Sequence, residues 1–189
     1  MTPDLVVDRE KHEYHHKGHR VLSITDCLRL AGILDTVRGS DFHLWVGTAT
    51  HRAIELHIKG TLNYETLDPE LLPRVKAWDE FVKQTGFVAT ATEKAVFNAQ
   101  LNVAGMLDVL GVFPDGKEGI VEIKSGNVSR WAGLQTAGQD ILLGGKHRLR
   151  FGIKIPKMGA PVVTLFKDPD DYVVFRSVAT VANWKERNA

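Results

Sequence analysis

Cysteine is almost absent. Cys27 is the single one, which excludes an intramolecular disulfide framework, a cysteine-based zinc knuckle and a four-cysteine iron–sulfur cluster; its default reading is a buried thiol. An excess of one charge is lacking too. With 24 basic and 23 acidic residues the net charge is +1, so composition carries none of the signal of a strongly basic nucleic-acid binder, and any such case rests on where the charges lie. Apolar runs are short and interrupted, and the opening MTPDLVVDREK is charged where a signal peptide needs an apolar core. The expectation is a soluble, intracellular protein without membrane contact. Low-complexity stretches and repeats are missing, and no glycine-rich loop with Gly-Lys-Ser/Thr offers a cradle for nucleotide phosphates. What remains is ordinary: 189 residues, 43% hydrophobic and 25% charged. The expectation is one domain over 1–189, able to bury about 70% of the surface its unfolded chain exposes.

The hydrophobic period changes midway along the chain. Residues 12–24 (HEYHHKGHRVLSI) alternate around Lys17-Gly18 and predict a hairpin, then a helix from about Thr25 to Leu34 with Ser23 or Thr25 as cap. A second helix is predicted from about Phe42 to Lys59, ending at Gly60, and a third after Asp68-Pro69 as far as about Gln84. From Phe87 the period is that of strands: Phe87 to Asn98, Leu101 to Phe113 and Gly119 to Lys124. A helix over about Arg130 to Leu143 follows, then strands at Arg148 to Ile155, Pro161 to Phe166 and Tyr172 to Phe175, and a last helix ending near Arg187. Helices, a meander, a crossover helix and a further strand describe an α/β sheet with helices packed on it.

Two strands carry an anomaly. LNVAGMLDVLGVF is apolar enough to be buried on both faces, yet holds Asp108. A carboxylate there has to be paired, protonated or bound to a cation. GIVEIKSG repeats the pattern, with Glu122 and Lys124 two apart and so on one face. A salt bridge would explain one acid and one lysine; two acids leave a charge unpaired. Hard oxygen ligands of this kind suit Mg²⁺ or Mn²⁺, which polarise a phosphodiester and activate water while a lysine assists. The triplet Asp115-Gly116-Lys117 is the internal control: it lies in a Pro-Asp-Gly turn, where charge is solvated. Upstream, Gly47, His51 and Glu55 recur at four-residue intervals on one helix face, and His51 is a plausible third ligand, better for Mn²⁺ than for Mg²⁺.

The ordered set Gly47-x-x-x-His51-x-x-x-Glu55, Gly105-x-x-Asp108, Glu122-Ile123-Lys124 and Gln135 resembles the PD-(D/E)XK nuclease superfamily, in its RecB-like and phage-exonuclease branch. The resemblance implies a three-layer, restriction-endonuclease-like fold with a central mixed β-sheet flanked by helices. It implies a Mg²⁺- or Mn²⁺-dependent deoxyribonuclease with no iron–sulfur cluster, first of all an end-dependent exonuclease of phage recombination or repair type. Alternatives are a structure-specific or non-specific endonuclease, or a non-catalytic DNA-binding module of the same fold. DNA, as single strand or duplex end, is the implied partner, with an annealing protein as a possible recombination partner, in the cytoplasm of a bacterial or phage-infected cell. By the same resemblance His51, Asp108, Glu122 and the Ile123 backbone carbonyl are metal ligands, with Glu55 in or beside that set. Lys124 assists the nucleophilic water and Gln135 contacts DNA or the lysine. The branch's usual tyrosine four residues after that glutamine is here Gln139.

Weaker signals concern substrate. Arg148, Arg150 and Lys154 alternate along one predicted strand, as a phosphate-tracking stripe or as an edge protected by charge. Arg130 and Trp131 offer charge and stacking, or Trp131 begins the next helix as a core residue. His12, His15, His16 and His19 read as a solvated patch, and Glu93 as a polar strand residue that could support the site from its neighbouring strand.

Overall fold

The computed structural model describes residues 4–9, 11–34 and 40–188. Three short strands, β1 (Leu5–Asp8), β2 (Glu13–His16) and β3 (His19–Ser23), lead into α1 (Ile24–Leu30), α2 (Asp41–Ile58) and α3 (Leu72–Thr85). The meander follows as β4 (Val88–Asn98), β5 (Val103–Val112) and β6 (Glu118–Lys124), then α4 (Ala132–Leu142), β7 (Leu149–Lys154), β8 (Val162–Phe166) and α5 (Asp170–Arg187). Local chemistry accounts for most boundaries. Lys17 and Gly18 both take positive φ, 51° and 80°, as the two-residue hairpin turn between β2 and β3 requires. Ser23 caps α1 by accepting from the Asp26 N–H, and Asp26 accepts in return from Ser23 N–H. Pro73 opens α3, and Gly86 ends it in the left-handed conformation.

The sheet runs β1-β2-β3-β5-β6-β7-β8, with β4 on β5. It is mixed: β3–β5 and β6–β7 are parallel, the other pairs antiparallel. One face packs α1, α4 and α5 through Leu28, Leu107, Ile120, Ile141 and Phe175. The other packs α2 and α3 through Ile54, Trp78, Phe81, Val121 and Ile153. Each such large side chain contributes roughly 1.5–3 kcal/mol on burial. No helix among the described residues is long and apolar enough to cross a membrane.

Two expectations fail. Tyr172–Phe175 is not a strand but lies within α5. Its Tyr-Val-Val-Phe composition favours strands, yet Asp170 and Asp171 complement a helix N-terminus. Phe175, Val178, Ala179 and Ala182 then bury one helical stripe, and tertiary packing overrides propensity. β7 is not an edge strand either, since β6 and β8 bond both its sides.

Candidate active site

The site lies where the sheet opens. β4 accompanies one edge of β5 from Val103 to Val112, but the other edge is divided: β3 pairs with Val103 and Ala104, β6 with Val109 to Val112. Beyond the pair Val109↔Val121, β6 leaves β5 and follows β7 to Lys124↔Lys154. Asp108 and Glu122 are the next residue on each strand, so both carboxylates stand at the mouth of the split. The Ile123 N–H, which the ladder no longer uses, donates to Asp108 Oδ2 at 2.7 Å.

The pleat also changes here. Leu107 packs on the α4 side and Val109 on the α2–α3 side, although residues two apart on a regular strand share a face. Across the ladder Glu93 falls between the pairs Thr92↔Val109 and Lys94↔Leu107 and has a φ of 46°. A glutamate held there costs on the order of 1–3 kcal/mol. Its carboxylate meets His51, from the middle of α2, and Asp108: one ligand atom from each lies within 4.8 Å of the others. His51 Nδ1 is 3.3 Å from Asp108 Oδ1 and 3.9 Å from Glu93 Oε1.

Glu122 faces α4 instead. Lys124 Nζ donates to its Oε1 at 2.7 Å, Gln135 Nε2 to the same oxygen at 2.8 Å, and Gln139 Nε2 to its Oε2 at 2.8 Å. Lys124 Nζ also reaches Gln135 Oε1 at 3.3 Å and lies 5.0 Å from the centre of the Trp131 ring. The lysine is thus fixed on three sides.

Burial opposes charge on every one of these groups, and the neighbours decide the outcome. For His51 burial pulls the pKa down, but adjacent Asp108 outweighs it and lifts it to about 9. Burial pushes Asp108 up, yet His51, Lys124 and the Ile123 N–H hold it below the usual range. Burial and then repulsion by Asp108 push Glu93 up to about 7, and the same two causes raise Glu122 despite Lys124 and Gln139. Burial pulls Lys124 down, while Glu122 and Asp108 hold it above its ordinary value. The carboxylates crowd one another, a repulsion that an added cation relieves.

Of the residues singled out in the sequence, the structure gathers His51, Asp108, Glu122, Lys124, Gln135 and Trp131 at this split. Glu55 is near but engaged elsewhere: Arg52 and Lys59 bind its two oxygens at 2.6 and 2.5 Å, and it does not belong to the His51–Glu93–Asp108 group. Trp131 precedes α4 and packs against the core while flanking Lys124; Arg130 beside it is exposed. The stripe Arg148, Arg150, Lys154 is corrected. Arg148 and Arg150 are 7% and 3% exposed at their side chains, paired with Asp140 at 2.7 Å and Asp171 at 2.9 Å, so they carry structural ion pairs rather than a solvent face. Lys154 alone reaches outward, to Asn127 Oδ1 at 2.9 Å. Gln139, read from the sequence only as a departure from tyrosine, is a member of the site, joining Glu122 to the Met106 carbonyl.

A cavity of about 660 Å³ opens onto the group, lined by Val7, Arg9 and Tyr14 from the β1–β2 hairpin, Thr48 and Arg52 from α2, and Glu93.

No family model matches the chain, and no curated protein matches it. Solved structures do. A protein of Eubacterium rectale provisionally named as an exonuclease is similar at 10% identity over 87% of this chain and 79% of its own, with a TM-score of 0.51. That likeness concerns the fold. LHK-Exo, in complex with dAMP, aligns at 12% identity over 89% and 88% with a TM-score of 0.45. SSO0001 aligns at 12% over 86% and 84% with a TM-score of 0.38.

Proposed function

We propose that the chain is a metal-dependent deoxyribonuclease of the PD-(D/E)XK type, acting as an exonuclease on DNA ends. The observation that carries this reading is the pair of buried acids, Asp108 and Glu122, at the mouth of the β5–β6 split with Lys124 fixed beside them. The exonuclease name given to a protein of similar fold agrees with it.

A divalent ion fits the residues present. His51, Glu93 and Asp108 offer one nitrogen and two carboxylate oxygens in one group, a hard donor set suited to Mg²⁺ and, through the imidazole, to Mn²⁺. Glu122, which lies outside that group with its oxygens held by Lys124, Gln135 and Gln139, and the Ile123 carbonyl are the further proposed ligand positions. When bound, such an ion polarises the phosphate and lowers the pKa of a water. The remaining work falls to the chain. Lys124, charged and fixed by Glu122, Gln135 and Trp131, presents a preorganised cation where negative charge develops on the phosphate. Gln135 and Gln139 hold Glu122 in one orientation. The cleft beside the hairpin admits the substrate strand, and an annealing protein is the partner that a recombination role requires.

The test is incubation with linear and covalently closed circular DNA, with and without Mg²⁺ or Mn²⁺. Linear molecules shorten from their termini only when the ion is present, and closed circles survive. Terminal pairs lack one stacking neighbour, so separating strands there costs least, while internal unpairing costs a few kcal/mol per step. Equal cutting of closed circles would transfer the assignment to an endonuclease.

A further inference from the structure

With Arg148 and Arg150 buried, the cations that meet a DNA strand must come from elsewhere. Arg52 is committed to Glu55 at 2.6 Å, and Lys124 to Glu122 at 2.7 Å. Arg9 differs from both. It stands in the turn between β1 and β2, its side chain is 56% exposed, and among the described residues its ion-pair partner is Glu93 at 3.7 Å, beyond hydrogen-bond range. Glu93 itself is 17% exposed at its side chain, and without a hydrogen bond the contact lacks the geometry of a strong charge-assisted pair. Arg9 lines the cavity onto which His51 and Asp108 open.

We propose that Arg9 is the phosphate anchor of this site: the β1–β2 hairpin is one wall of a groove for a single DNA strand, and Arg9 leaves Glu93 to bind a backbone phosphate next to the one cleaved. The proposal rests on the nuclease reading for the identity of the ligand, and on the cavity and ion pair for the residue. Glu93 belongs to the proposed cation group. A divalent ion there takes up the Glu93 charge and repels the guanidinium, which then faces the groove with its donors free. Arginine is suited to that role because its planar fork meets two phosphate oxygens at once. The cavity, about 660 Å³, is within the range of about 300–1,000 Å³ typical of ligand sites. Tyr14 and Val7 line the same wall.

Arg9→Ala and Arg9→Lys test this, since an exposed turn residue is replaced without disturbing the core. Cleavage of a single-stranded oligonucleotide is followed with Mg²⁺, binding of the same oligonucleotide is followed against salt in a Lys124→Ala background, and the melting shift on adding Mg²⁺ is recorded. Arg9→Ala should raise KM about tenfold with kcat within about twofold. It should flatten the plot of log affinity against log salt by about 0.7, as expected for one phosphate contact on a single strand. Arg9→Lys should restore the slope but only part of the affinity, and the Mg²⁺ melting shift should persist in both. An unchanged KM and salt slope while wild type cleaves DNA overturns the anchor and leaves the nuclease reading standing. Loss of the Mg²⁺ melting shift in Arg9→Ala, with KM unchanged, overturns it in favour of a residue that merely holds Glu93. Should wild type bind but not cleave, an Arg9-dependent slope keeps the anchor and the nuclease reading fails instead.

Discussion

Two clusters of buried charge meet α4, one through Gln135 and Gln139 and one through Asp140 and the Gly133 carbonyl, and they are built differently. On the β7–α5 side Arg148 meets Asp140 at 2.7 Å and Arg150 meets Asp171 at 2.9 Å. Arg150 also donates to the Gly133 and Asp168 carbonyls at 2.7 and 2.9 Å, and the Tyr172 hydroxyl donates to Asp140 at 2.9 Å. Each buried arginine has its own acid, Arg148 also meets the half-exposed Glu118 at 2.8 Å, and the β7 ladder beneath is continuous on both edges. At the β5–β6 split Asp108, Glu122 and Glu93 face Lys124 and His51, and the exposed Arg9 reaches Glu93 only at 3.7 Å. The ladder is open there and one residue is left-handed. Paired charge over closed backbone stabilises a fold; crowded acids over open backbone leave a repulsion that a bound cation would relieve.

The sharpest way to break this comparison is to remove one cation from each cluster. Lys124→Ala should leave a folded protein whose cleavage falls on the order of 10³-fold, as when a preorganised donor is lost from a transition state. Arg150→Ala should do the reverse: about 3–5 kcal/mol of stability lost by stranding Asp171, a melting point lower on the order of 10 °C, and specific activity of the folded fraction little changed. Thermal melts and single-turnover cleavage on the same preparations separate the two. A Lys124→Ala protein that melts far below wild type yet cleaves normally would reverse the roles assigned to the clusters.

A smaller effect concerns pH and metal. His51 has a folded pKa of about 9, above its ordinary value, so its stabilisation is complete below about 6.5 and is lost as pH rises through about 9. Glu93, raised to about 7, is destabilising once ionised, so its contribution is also lost as pH rises through about 7. Chelated protein should therefore melt several degrees lower at high pH than near pH 6. Saturating Mn²⁺ should raise the melting point and flatten that decline, because it takes the place of the proton. The same Mn²⁺ shift in an Asp108→Asn, Glu93→Gln variant would place the ion elsewhere. No such shift is expected to depend on Arg150.

What could be read from the sequence was what local pattern enforces. An acid inside an apolar strand is costly wherever the strand lies, so Asp108 and Glu122 were visible before any contact was known. Gly105 has a reason that only the fold supplies: a Cβ there would lie 2.6 Å from Ile24 Cδ1. The Arg148–Lys154 alternation misled because a charged face reads the same whether water or Asp140 and Asp171 cover it. Glu93 was hard to place because its role depends on register. β4 carries a bulge between Ala89 and Ala91, and the left-handed turn at Glu93 has no composition signal in a residue other than glycine. The strand at Tyr172–Phe175 was misread because propensity is a local quantity, while the helix there is decided by the stripe buried against α4 and α1.

The smallest expected effect tests how the split is kept in shape. Gln139 donates through one nitrogen to the Met106 carbonyl at 3.1 Å and to Glu122 Oε2 at 2.8 Å. It thereby ties the part of β5 that has left β6 to the acid on β6. Its own Oε1 is buried with no hydrogen-bond partner among the described residues. Gln139→Leu removes the orphan oxygen but leaves Glu122 Oε2 and the Met106 carbonyl without this donor, so stability should fall by about 1–3 kcal/mol and the melting point by several degrees. Glu122, still held by Lys124 and Gln135, should lose part of its orientation, and cleavage should fall about tenfold, the usual size when a group supporting a ligand is removed. Gln135→Leu should fall further, since it also frees Lys124 Nζ from its contact at 3.3 Å. Measured kcat at saturating Mg²⁺ decides the matter: full activity in Gln139→Leu would mean that Lys124 and Gln135 orient Glu122 unaided and that Gln139 only closes the backbone gap at Met106.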